Sequence, residues 1–144
     1  FAVHPLPPLA GSGQQLRLMT VRSEGQFNTV VYEEEDIYRG QDRRNVILMN
    51  RADIERLELR VDQRVTVSSL AGSLSGILVR EYDIRAGNAL MYFPEANVLV
   101  PATTDPDSKT PAFKCVLVTV EPDRAYANGP AESAGSRVPL QLAQ

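Results

Sequence analysis

The feature that most limits what this chain can fold into is a series of short β-type runs, each too brief for a long helix and bounded by turn residues. From Lys114 to Glu121, Val116, Val118 and Val120 alternate with Cys115, Leu117 and Thr119, the period of two that sends successive side chains to opposite faces of a strand. Arg64–Leu70 repeats the pattern, with Val65 and Val67 between Arg64, Thr66 and Ser68. The tight turn Ala71-Gly72-Ser73 and a returning run Leu74–Tyr82 make 64–82 a hairpin. Leu16–Arg22 and Ala89–Phe93 read as further strands, and Val46-Ile47-Leu48-Met49 is a continuous apolar run of strand length. One helix is expected at Ala52–Leu59: Asn50 is an N-cap candidate, Asp53 three residues on imitates a capping box, and Ile54, Leu57 and Val61 fall on one face. Six short strands and a short helix within about 106 residues predict a small, mainly β barrel rather than a doubly wound sheet.

The ends differ from this core. Residues 1–15 carry Pro5, Pro7, Pro8, Gly11 and Gly13 and read as a flexible head; 122–144, rich in Pro, Gly, Ala and Ser, reads as a mobile tail. The barrel domain is expected at 16–121. The first residue is Phe1, with no basic stretch leading into an apolar one, so the chain reads as a piece of a longer protein.

Several function classes drop out. A single cysteine excludes an internal disulfide framework, and one His with one Cys excludes a zinc finger. Apolar runs stay far below the roughly 18–20 residues of a membrane span. A formal charge of −3 argues against general nucleic-acid binding. The one histidine, His4, lies in the head, so no nucleophile–base pair can be placed. Gly11-Ser12-Gly13 follows no strand and is no dinucleotide fingerprint. Asp105–Lys109 lacks the later Gly and Glu of a calcium loop. Cys115 sits in the closing strand, where a small buried thiol is the ordinary outcome.

Two segments, 23–45 and 94–113, break the β rhythm. They are too long for ordinary connections in a compact domain and are not low in complexity, which marks them as functional. The first opens with Thr20, Arg22, Ser23, Gln26, Asn28 and Thr29: hydroxyls and a guanidinium suited to a phosphate, amides suited to a heterocyclic edge. With its later arginines, Arg39, Arg43 and Arg44, offset by Glu33, Glu34, Glu35 and Asp36, spacing alone favours a solvated loop. The second segment runs through Asn97 to Asp105-Pro106-Asp107-Ser108-Lys109-Thr110-Pro111-Ala112-Phe113-Lys114, stiffened by its prolines. Ser108, Lys109 and Lys114 are phosphate candidates, against a plain surface turn as the alternative.

Taken in order, Leu18-Met-Thr20-Val-Arg22-Ser23, Gln26-Phe-Asn-Thr29, Val46-Ile-Leu-Met-Asn50-x-x-Asp53, Leu59-x-x-x-Gln63-x-Val65 and Asn97…Asp105-Pro-x-Ser108-Lys-Thr-Pro-x-Phe-Lys114 resemble the C-terminal dinucleotide-binding domain of the molybdopterin oxidoreductases. Gln26-Phe-Asn-Thr, Tyr38-Arg39-Gly40 and Tyr92-Phe-Pro-Glu-Ala-Asn97 look most like the formate dehydrogenase alpha-subunit-like branch. The chain departs from that pattern at Val21, where many members carry Gly; at Gln63, where Asp is common; and at Gln26 and Asn28, where most have His.

The resemblance implies a six-stranded double-psi β-barrel that covers one side of a bis(molybdopterin guanine dinucleotide) cofactor. It implies that Thr20, Arg22 and Ser23 line the dinucleotide, that Gln26, Asn28 and Thr29 approach a pterin or phosphate, that Asn97 faces the pterin, and that Ser108 and Lys114 fix the far end of the second loop. Molybdenum or tungsten would be held by another domain of the parent oxidoreductase, and this fragment would have no catalytic residue of its own. The other domains of the parent are the implied partners, with no nucleic acid and no membrane, and the branch implies a cytoplasmic location. A double-psi barrel serving as an adaptor for a protein or peptide is the competing expectation.

Overall fold

The computed structural model describes residues 13–23, 26 and 34–126, together with residues 3, 5, 8 and 9. The expected site residues Asn28 and Thr29, like His4 and residues 127–144 of the expected tail, lie outside the described residues.

Six strands form a closed barrel in the order β1-β5-β2-β4-β3-β6. They are β1 (Gln15–Val21), β2 (Val46–Met49), β3 (Arg64–Ser68), β4 (Ser73–Glu81), β5 (Asn88–Tyr92) and β6 (Val116–Pro122). One α-helix, α1 (Arg51–Arg56), follows β2, and 3-10 turns occupy Glu95–Leu99 and Arg124–Tyr126. β1 runs parallel to β5, and β2 parallel to β4; the other neighbours are antiparallel. Among strands next to each other in sequence, only β3 and β4 are also partners in the sheet. The fold is the expected six-stranded mixed barrel with a short helix. No helix among the described residues is long and apolar enough to cross a membrane.

β2 explains its own unbroken hydrophobicity: all four of its residues are buried. Ile47 and Met49 belong to the main core with Leu16, Leu18, Val65 and Val118. Val46 and Leu48 belong to a second cluster with Val21, Leu78, Leu90 and Tyr92, against which Tyr82 and Ile84 pack. A strand covered on both faces has no solvated side to code as polar. β6 shows the opposite case, its valines buried and Leu117 and Thr119 only partly so.

Several local expectations are corrected. The helix is shorter than Ala52–Leu59 because Leu57 caps it and Glu58 turns to a positive φ of 55°. Ile54 and Leu57 are buried, but Val61 lies beyond that turn and is exposed. Asn50 is the N-cap, accepting from the Ala52 amide at 2.8 Å. Asp53 does not close a capping box; its carboxylate accepts from the Gly87 amide at 2.6 Å and from Arg56 at 2.7 Å. β3 stops at Ser68 rather than Leu70, because the Ser69 hydroxyl accepts from the Ala71 and Gly72 amides and folds the chain into its turn. Cys115 precedes β6 and is only half-buried.

The barrel also exceeds its expected limits by one residue at each end: Gln15 pairs with Thr119, and Pro122 with Val65. Beyond it, Asp123 is buried and accepts from the Gly76 and Ala125 amides. Tyr126 then stacks under the Arg64 guanidinium, 4.7 Å from the ring centre.

Strand directions sort the connections into two groups. Because β1 and β5 are parallel and β2 and β6 run against them, the chain leaving β1, entering β2, leaving β5 and entering β6 does so at a single mouth. The β3–β4 turn joins it there, since a Cβ on Gly72 would stand 2.8 Å from the Val98 carbonyl oxygen. The helix and the Asp53–Gly87 contact lie at the other end.

Candidate functional site

Both irregular segments therefore meet at the mouth, and they are stitched to each other. The Thr20 amide and its Oγ1 both donate to the Phe113 carbonyl, at 3.0 and 3.2 Å. Lys114 Nζ donates to the Thr20 carbonyl. Phe93 extends the β1–β5 ladder by donating its amide to Val21 O at 2.8 Å. Thr20 is thus a buried seam residue whose hydroxyl is spent on the second loop.

The dominant feature of the mouth is Arg44, which reads from the sequence as one arginine of a solvated trio and is only 5% exposed. Its Nη1 donates to Ser23 Oγ at 2.7 Å, and its Nη2 to Phe93 O at 2.6 Å. Nε and Nη2 together grip the Glu95 carboxylate, at 2.6 and 3.1 Å, the forked geometry for which a guanidinium is suited. The cation lies 5.1 Å from the centre of the Tyr92 ring. Burial alone would lower its pKa, but the Glu95 carboxylate outweighs that and raises it. Gln26, also buried, donates Nε2 to Phe93 O at 3.1 Å.

A second charge cluster abuts the first. Asp36, 1% exposed, accepts from Arg39 at 2.6 Å and from the Tyr92 hydroxyl at 2.8 Å. Burial pushes its carboxyl up, yet the bonds from Arg39 and Tyr92 prevail and hold it below the ordinary aspartate range. Burial, followed by the bond to the Asp36 carboxylate, drives the Tyr92 phenol strongly upward. Arg39 Nη1 also donates to the Arg22 carbonyl at 3.1 Å.

The expected site residues therefore divide by environment. Thr20, Ser23 and Gln26 face inward and are bonded to protein. Arg22, Asn97, Ser108 and Lys114 are exposed. The Arg22 guanidinium lies 5.3 Å from the Phe93 ring centre. Asn97 sits on the Glu95–Leu99 turn. Ser108 belongs to a tight loop in which the Asp105 carboxylate accepts the Asp107 and Ser108 amides, and Ser108 and Thr110 share a hydroxyl–hydroxyl bond of 2.7 Å. Thr103, Thr104, Ser108 and Thr110 line one open groove with Asp105, Pro111 and Ala112. Lys109, with a positive φ of 56°, folds its ammonium back onto the Pro106 carbonyl.

Arg44, Glu95, Asp36 and Tyr92 escape a reading of the residues one by one. The available signal is an arginine two residues before a fully apolar strand, with a tyrosine ending another strand of the same cluster. Among the described residues, no group of His, Cys, Asp or Glu is placed to hold a metal ion. The donor set fits an anionic, sugar-bearing ligand better: exposed guanidinium and ammonium groups, a carboxamide, and a hydroxyl-lined groove at one mouth.

Comparison with known proteins agrees with that chemistry. Residues 16–117 match the family model described as "Molydopterin dinucleotide binding domain". An uncharacterized oxidoreductase of Mycobacterium tuberculosis is 39% identical over 133 residues, a match covering 85% of this chain and 17% of the relative. Protein YdeP of Escherichia coli is 29% identical over 124 residues, covering 80% of this chain and 16% of the relative. Acetylene hydratase from Pelobacter acetylenicus superposes with a TM-score of 0.56 at 14% identity, over 74% of this chain and 18% of that one. The chain thus spans about a sixth of the length of the curated relatives it matches.

Proposed function

Because the chain belongs to the molybdopterin dinucleotide binding domain family, we propose that it is the cofactor-covering domain of a molybdenum- or tungsten-dependent oxidoreductase that carries bis(molybdopterin guanine dinucleotide). The observation carrying this reading is the meeting of the two long loops at one barrel mouth, through Thr20, Phe113 and Lys114. Arg22, Asn97, Ser108 and the hydroxyl groove beside Ser108 would hold the dinucleotide. Arg22 and Lys114 would concentrate positive potential on an otherwise acidic chain. Ser23 and Gln26, turned inward, would shape the loop rather than touch the ligand, and Thr20 would seal the seam beneath it.

When bound, the cofactor supplies a dithiolene-held metal for two-electron chemistry; the chain's own residues bind, orient and shield it. The metal ligand would come from another domain of the parent, which is also the expected partner. Formate-dehydrogenase-like specificity is the finer form of the proposal, supported by Gln26-Phe-Asn-Thr and Tyr92-Phe-Pro-Glu-Ala-Asn97, and a cytoplasmic location goes with it.

The test is titration of the 144-residue chain with guanosine diphosphate, followed by backbone amide shifts. Shifts gathered at residues 20–26, 97 and 103–114 are expected. Shifts on α1, or none, would reject the proposal and favour an adaptor for a protein or peptide.

A further inference from the structure

Arg22 is an exposed cation two residues beyond the seam residue Thr20, and three contacts fix where it stands. Arg39 donates to its carbonyl, Phe93 lies under its guanidinium, and Arg44 binds the next residue through Ser23 Oγ. Arg44 also holds the Phe93 carbonyl and Glu95, so a single side chain fixes both the strand that delivers Arg22 and the aromatic support beneath it. We propose that Arg44 is a positioning residue for nucleotide phosphate binding, acting through Arg22 without touching the ligand; this rests on the function proposed above.

A guanidinium is required because Arg44 satisfies acceptors in three directions at once, two carbonyl or hydroxyl oxygens and a forked carboxylate. Lysine can reach one or two of them. Losing the residue would leave Ser23 and Phe93 without their common donor. The loop would then have to be ordered at the moment of binding, which weakens affinity without altering any ligand contact.

The experiment is a double-mutant cycle on the 144-residue chain, read as guanosine diphosphate affinity by amide shifts. Arg22→Ala and Arg44→Met are each expected to weaken binding about tenfold, the scale of re-ordering a few side chains. If Arg44 acts through Arg22, the double variant is also weakened only about tenfold, because neighbours in one network are not additive. Arg44→Lys should recover part of the loss. A double variant weakened about a hundredfold, the product of two independent effects, overturns the inference, as does an Arg22→Ala chain that binds like the parent. Should Arg44→Met not fold, Glu95→Gln loosens the same fork from the solvent side and must itself be non-additive with Arg22→Ala. A parent chain that binds no guanosine diphosphate rejects the proposed function and takes this inference with it; normal parent binding with an unaffected Arg44→Met chain rejects the inference alone.

Discussion

The two ends of the barrel use buried charge differently, although Asp53 at the far end also pairs with Arg56 on its own helix. At the end away from the mouth, carboxylates cap backbone: Asp53 takes the Gly87 amide, and Asp123 takes the Gly76 amide. Both satisfy glycine amides that the ladder leaves over, at Gly87 just before β5 and at Gly76 in the irregular stretch of β4. At the mouth, the buried charges are side chain against side chain, Arg44 with Glu95 and Asp36 with Arg39 and Tyr92. Arg44 with Ser23, Arg44 with Glu95 and Asp36 with Tyr92 span 21, 51 and 56 positions, while Arg39 stands three positions from Asp36. Backbone capping fixes the fold; side-chain bridging fixes the relation between loops, and a binding rim needs the second.

The comparison can be tested in order of expected effect. Asp123→Ala should cost about 3 kcal/mol of global stability in urea unfolding, since it removes two charge-assisted bonds made by a buried carboxylate and strands the half-buried Gly76 amide. A loss near zero would mean the far end is not held this way. Gly72→Ala should cost about 1–2 kcal/mol, because its Cβ would press on the Val98 carbonyl oxygen. The accompanying amide shifts should fall on 95–99, linking the β3–β4 turn to the mouth.

Asp36→Asn should cost about 1 kcal/mol at neutral pH, and its sharper signature is acid dependence. The folded pKa of Asp36 lies below its unfolded value. Its contribution is therefore complete above an unfolded pKa of about 3.9 and disappears as pH falls through the folded value. Stability measured across that acidic range should fall less steeply in the Asn variant than in the parent; equal slopes would show that Asp36 is not paired as described. Leu70→Ser should change stability by less than about 0.5 kcal/mol, as the leucine is fully exposed on its turn. A larger loss would show that the turn contributes to the core.

Most of the barrel was legible in advance because strand periodicity and turn chemistry are local. Val46–Met49 was found to the residue, and the alternation of β6 was read correctly. Asn50 announced the helix start, whereas Asp53, at the spacing of a capping box, went instead to Gly87, thirty-four positions away. Local spacing offered no way to choose between those two amides. At the candidate site, motif order singles out two loops, and the exposed positions Arg22, Asn97, Ser108 and Lys114 all lie in loops that open at the mouth. The structure turns Ser23 and Gln26 inward onto protein and buries Arg44, orientations that residue type in a polar loop does not specify.

By itself, then, the sequence determined the strands, the helix start and the two segments that depart from them, because hydrophobic period and capping act over a few residues. Only the tertiary structure decided which polar groups point inward. Closing the barrel through parallel pairs β1–β5 and β2–β4 brings residues 20–23, 26, 36–44 and 92–95 to one place. A guanidinium there finds its acceptors across gaps of 18 to 51 positions, a distance over which no local pattern carries information.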